Sequence, residues 1–202
     1  SGDSDGDGDA DTQLFVVQAH AVFEGLTLAR GTAAFGGAVS VAQSGSFVLR
    51  ACAIVDCEAA EYGGAIDVEG SLRVEKCYFA GNRVTAMSGG GGGAISFYSP
   101  HDSVIANTTF ASNRVVDAGG YGGGAVYVER LNDASMNLSV THCTFAGNAD
   151  ASGHASAVFV VGGNSFATLK NTVLSDYSEA DSARNIDVTG DGFHTNLNSM
   201  VV

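Results

Sequence analysis

The chain has one proline, no tryptophan and only nine basic residues in 202 positions. So little proline, beside a hydrophobic content of 45%, excludes a proline-rich linker and argues against intrinsic disorder. Nine bases against 22 acids leave a formal net charge of −13. That charge repels phosphate backbones and anionic lipid surfaces, so no nucleic-acid partner is expected. No apolar run approaches the ~20 residues that span a bilayer, so no membrane insertion is expected. The first eleven residues, SGDSDGDGDAD, have neither a basic nor an apolar stretch and do not read as a signal peptide. The five histidines (His20, His101, His142, His154 and His194) form no HxH or HExxH spacing, and the four cysteines form no CxxC. Neither set carries a zinc signature, and ordinary surface or turn histidines are expected. A Leu-x-x-Leu-x-Leu frame is also absent, as is any sustained helical apolar stripe.

Glycine is abundant instead, at 28 residues, roughly twice the usual share. It belongs to a repeated phrase: GGAVSV from Gly36, GGAIDV from Gly63, GGAISF from Gly92 and GGAVYV from Gly123, with degenerate copies ASAVFV from Ala155 and RNIDV from Arg184. A second phrase alternates with it: CYFAGN from Cys77, TTFASN from Thr108 and CTFAGN from Cys143, with looser forms CAIVDC from Cys52 and TVLSDY from Thr172. The full period is roughly 25–32 residues, the length of one solenoid repeat. The apolar runs are short, alternate with period two and end at Gly, Asn, Ser or Asp, which are strand signals. In SLRVEKCYF, Leu72, Val74 and Cys77 or Phe79 fall on one side and Arg73 and Glu75 on the other.

These features predict an all-β, single-stranded right-handed parallel β-helix of about six or seven coils, occupying residues 12–202 behind an acidic tail or linker at residues 1–11. Equivalent positions then stack from coil to coil at about 4.8 Å. Ala38, Ala65, Ala94, Ala125 and Ala157 form a small inward column, and Val39, Ile66, Ile95, Val126, Val158 and Ile186 alternate with it across the sheet. Phe79, Phe110 and Phe145 stack inside with Ile54 and Leu174. Asn82, Asn113 and Asn148 follow at a fixed offset, where a stacked amide can donate and accept between coils. Cys57 takes the Asn place in its own copy.

The interleaved GGA[ILV] and FxxN motifs resemble the repeats of chlamydial polymorphic outer membrane proteins, over about residues 35–190. That resemblance implies a right-handed parallel β-helix displayed outside the cell, often adhesive. Unlike that family, this sequence carries no membrane β-barrel.

Several positions suggest chemistry. Asp3, Asp5, Asp7, Gly8, Asp9 and Asp11 read as the start of a calcium loop resembling thrombospondin type 3 repeats and dockerins, but Leu14 stands where a bidentate Glu belongs. Calcium is thus the one cofactor the sequence suggests, and a flexible acidic tail is the alternative. Cys52 and Cys77 fall on adjacent coils, close enough for a disulfide, although buried free thiols are the preferred reading. Cys143 beside His142 does not suggest a catalytic pair, since neighbouring strand residues face opposite sides. Asn107-Thr-Thr and Asn137-Leu-Ser are glycosylation sequons. The outward column of the GGA strand reads Ser40, Asp67, Ser96, Tyr127, Phe159 and Asp187. Its two Asp residues are four coils apart, about 19 Å, too far to cooperate. Glu69 and Glu129 are two coils apart, about 10 Å, at the edge of an inverting glycosidase pair. Tyr127 and Phe159 on neighbouring coils, with Tyr98 nearby, are the expected contact patch, because exposed aromatics on a flat sheet suit sugar stacking or protein contact. The functional expectation is a cell-surface or secreted structural or adhesive module that binds a protein or glycan through a lateral face. A carbohydrate-active enzyme and a subunit of a larger assembly, joined end to end, are the alternatives.

Overall fold

The computed structural model describes residues 12–85, 89–116, 119, 121–129, 136–151, 153–162, 165–175, 184–189 and 198–201. The acidic segment of Asp3, Asp5, Asp7, Asp9 and Asp11 lies outside them, as does His194.

The described chain is all β. It winds through three sheets, and strands from successive coils pair in parallel. The first sheet orders Phe15–Val17, Val39–Val41, Ile66–Val68, Ile95–Tyr98, Val126–Glu129, Ala155–Val161 and Arg184–Thr189. The second collects the SLRVE-type and CYFA-type strands, and the third holds short strands such as Glu58–Tyr62, Arg83–Val84 and Arg114–Val115. Among the described residues five coils contribute a strand to all three sheets, fewer than the six or seven expected. In the sixth, Ser165–Ser175 runs through the second sheet as one strand, and among the described residues no third-sheet strand follows it.

The register brings the repeated residues into columns. Phe79 stacks on Phe110 and Phe110 on Phe145, with ring centroids 5.0 and 4.8 Å apart and nearly parallel planes. Ile54 and Leu174 pair with the two ends of that stack. The Val39, Ile66, Ile95, Val126 and Val158 column is in register and fully buried. The alanine column does not alternate with it. Ala38, Ala65, Ala94, Ala125 and Ala157 are equally buried, and the first four sit in the bend before the strand, where the chain is still turning inward.

Each corner has its own chemistry. The first glycine of every GGA phrase takes a left-handed backbone, as at Gly92 with φ 72°. The second is required by proximity: a Cβ on Gly93 would overlap the carbonyl oxygen of Gly124 in the next coil. A second corner places Ala51, Lys76, Asn107, His142 and Asn171 at φ between 50° and 56°. Each is followed by a buried Cys or Thr whose side chain donates back to the carbonyl two residues earlier. Cys52, Cys77, Thr108, Cys143 and Thr172 do this at 3.2, 3.2, 2.9, 3.3 and 3.1 Å. The cysteine column is therefore a corner latch that needs a small donor. The Cys52 amide donates to the Cys77 Sγ at 3.5 Å, and all four cysteines are free and buried. The disulfide alternative is thus set aside in favour of buried thiols. Burial pushes the Cys57 and Cys143 thiols up to about 11, so they stay protonated.

At the third corner the asparagines form a continuous ladder. Asn82 Nδ2 donates to Asn113 Oδ1 at 2.9 Å, and Asn113 Nδ2 to Asn148 Oδ1 at 2.9 Å. Each amide also donates to a carbonyl of the preceding coil, Ile54, Phe79 and Phe110 respectively, at 3.0 Å. These bonds satisfy polar groups that would otherwise be buried unpaired.

Candidate functional site

The outer face of the first sheet carries a cleft of about 490 Å³ lined by Phe35, Ser40, Tyr62, Asp67, Glu69, Ser96, Tyr98, Tyr121, Tyr127 and Glu129. Its volume suits a small ligand or a sugar unit. The floor is the outward column of the GGA strands, in which Ser40, Asp67, Ser96 and Tyr127 are successive register partners. Tyr62 and Tyr121 belong to the segments that lead into the GGA corners.

Of the expected contact patch, Tyr127 and Phe159 do pair on adjacent coils, with ring centroids 5.9 Å apart. They are not exposed: their relative exposures are 1% and 2%. The Tyr127 ring lies against Gly91, whose position leaves no room for a Cβ, and Tyr62 and Tyr121 pack beside it at 5.9 and 6.3 Å. His154 stacks on Phe159 at 4.6 Å. The exposed rings on this face are instead Phe35, Tyr98 and Tyr121. Tyr98 alone among the three expected residues is open to solvent.

The acids are closer together than a column-by-column reading suggests. Asp67 and Glu69 lie two residues apart on the same face, and both line the cleft with Glu129. Asp67 is buried, and that desolvation, together with the neighbouring Glu69 charge, lifts its carboxyl to about 7. Ser96 Oγ lies near enough to ease that charge, but it is fully buried and has no hydrogen-bond partner in bonding geometry. The Tyr127 hydroxyl donates to Glu129 Oε2 at 2.9 Å, and burial with the Glu129 charge keeps that hydroxyl firmly protonated. Tyr62 is pushed up to about 12, chiefly by burial.

The remaining residues scatter. Asn107 is exposed at its left-handed corner, and Asn137 is exposed with its Nδ2 donating to Asp102 at 2.8 Å. His142 points outward while Cys143 is buried. Among the described residues no group of three or more His, Cys, Asp or Glu is placed to hold a metal ion, and no helix is long and apolar enough to cross a membrane.

A parallel β-helix with a lateral acidic and aromatic cleft is the class that this geometry defines. A family model described as the right handed beta helix region matches residues 10–192, and the chain belongs to that family. No curated protein and no solved structure matches it.

Proposed function

We propose that this chain is a cell-surface or secreted module that binds a glycan segment in the cleft on its first sheet. The observation that carries the reading is the lining itself. Three exposed rings, Phe35, Tyr98 and Tyr121, stand beside carboxylates and serines, which is how a sugar's apolar face and hydroxyl edge are both met. Display outside the cell is supported by the resemblance to the chlamydial repeats, and adhesion would follow from it.

The test is calorimetric titration with oligosaccharides of varied composition, with product analysis, in calcium and in chelator. Tyr98→Ala and Tyr121→Ala are each expected to weaken binding about tenfold, the loss of one stacked ring. Binding of proteins but of no sugar would shift the reading to a protein partner, and silence with both would favour an assembly role. Calcium dependence would bring in the acidic segment at residues 1–11.

One observation favours a second, enzymatic reading. Asp67, held near 7, is a carboxyl that keeps a proton near neutrality, and Glu69 shares its face. Cleavage products abolished by Asp67→Asn would establish it.

A further inference from the structure

We propose that the cleft selects sugars carrying a free ammonium group, an inference that rests on the glycan reading above. Asp67, Glu69 and Glu129 line the cleft, and no Lys, Arg or His lines it among the described residues. Asp67 is 8% exposed and has no ion-pair partner among the described residues. Burying a carboxylate without a cation is unfavourable, and the displacement of Asp67 to about 7 reflects that cost. A seated ammonium is the group that restores its charge.

The second observation is a hydroxyl beside Asp67 rather than another acid. Ser96 Oγ, on the floor between Asp67 and Tyr127 in register, is fully buried and unpartnered. An unpaired hydroxyl in a cleft floor marks a place where a ligand's polar group is missing. An ammonium offers three donors, enough for Asp67, Ser96 and one further oxygen. The walls suit the same ligand. Tyr62, Tyr98 and Tyr121 line the same cleft as the acids, and such rings attract organic cations. A bare metal ion fits less well, since the three carboxylates are not grouped to hold one. A uronate would meet three like charges and no base. An acetylated amino sugar would leave Asp67 without a counter-charge.

The experiment is titration calorimetry of the full chain with tetramers of glucosamine, N-acetylglucosamine and glucose. The variants are Asp67→Asn, Ser96→Ala and Glu24→Gln, the last removing an exposed acid on the second sheet. The glucosamine tetramer is expected to bind at least tenfold tighter than the other two. Asp67→Asn should abolish that advantage, Ser96→Ala should reduce it, and Glu24→Gln should leave it intact. A cooperative melt at or above the parent's temperature would show that each variant is folded. Equal affinity for the three tetramers would overturn the charge selectivity and leave glycan binding standing. Binding of none would overturn both. Equal losses in Glu24→Gln and Asp67→Asn would show only attraction to a protein of net charge −13, and would overturn the site.

Discussion

Asp67 is the residue at which stability and function pull apart. Its carboxyl is raised from 3.8 to about 7, by burial first and by Glu69 second. Between about pH 4 and about pH 7 the folded chain holds a proton that the unfolded chain has released. The residue's contribution to stability therefore falls as pH rises through that window and stays lowered above it. At ~1.4 kcal/mol per pH unit, the upper figure is about 4 kcal/mol. Asp67→Asn, compared with the parent chain, is expected to leave the melting temperature at pH 4 nearly unchanged. At pH 8 it should raise it by several degrees. Thermal melts across that range check this, and a variant that melts lower than the parent at pH 8 would overturn it. The pairing of Asp67 with Glu69 was open to view in the phrase GGAIDVEG, because residues two apart on a strand share a face. Comparing acids only down the outward column paired Asp67 with the distant Asp187 and passed over its neighbour. Ser96 had no such signal, since only the packed structure reveals a hydroxyl without a partner.

At the scale of the element, the corners decide the fold, and they divide glycine's two uses between adjacent residues. Gly25 has φ 67° with open space where a Cβ would sit, so alanine there meets backbone strain alone. Gly93 lies outside the left-handed region, but its Cβ would overlap the Gly124 carbonyl oxygen. Gly25→Ala is expected to cost about 1 kcal/mol. Gly93→Ala should cost about 3 kcal/mol or more, because two coils must part to admit it. Urea unfolding of both variants checks the order, and an equal cost would mean that coil spacing is softer than the ladder bonds imply. The corners also explain what the sequence could and could not convey. The Phe and Asn columns were legible because each residue type recurs unchanged. The latch was not, because Cys52, Cys77 and Cys143 alternate with Thr108 and Thr172, and the shared feature is a donor bonding back two residues. Cysteine alone suggests a buried thiol or a disulfide, not a corner donor. Tyr62 ends the strand Glu58–Tyr62 and Tyr121 lies in an irregular segment, and neither belongs to a recurring phrase, so the burial of Tyr127 beneath them was not foreseeable.

Over the whole molecule, stability is carried from coil to neighbouring coil, as the ladder of Asn82, Asn113 and Asn148 and the stack of Phe79, Phe110 and Phe145 both show. In such a solenoid a complete repeat can be removed if the cut ends are equivalent. Gly63 and Gly92 are equivalent, each opening a GGA phrase at a left-handed corner, with φ 61° and 72°. Deleting residues 63–91 joins Tyr62 to Gly92 and brings Ile54 beneath Phe110, and Cys57 beneath Asn113, with every other column continuous. The shortened chain is expected to fold as a β protein with a single cooperative melt, several degrees below the parent, since one coil's share of interface is gone. It also loses Asp67 and Glu69, so glucosamine binding should vanish while the fold persists. Circular dichroism melts with calorimetry on the same sample separate the two effects. A collapsed or aggregating product would mean that the coils are not interchangeable and that the third coil, which carries the buried acid, holds the solenoid together as well as lining its cleft.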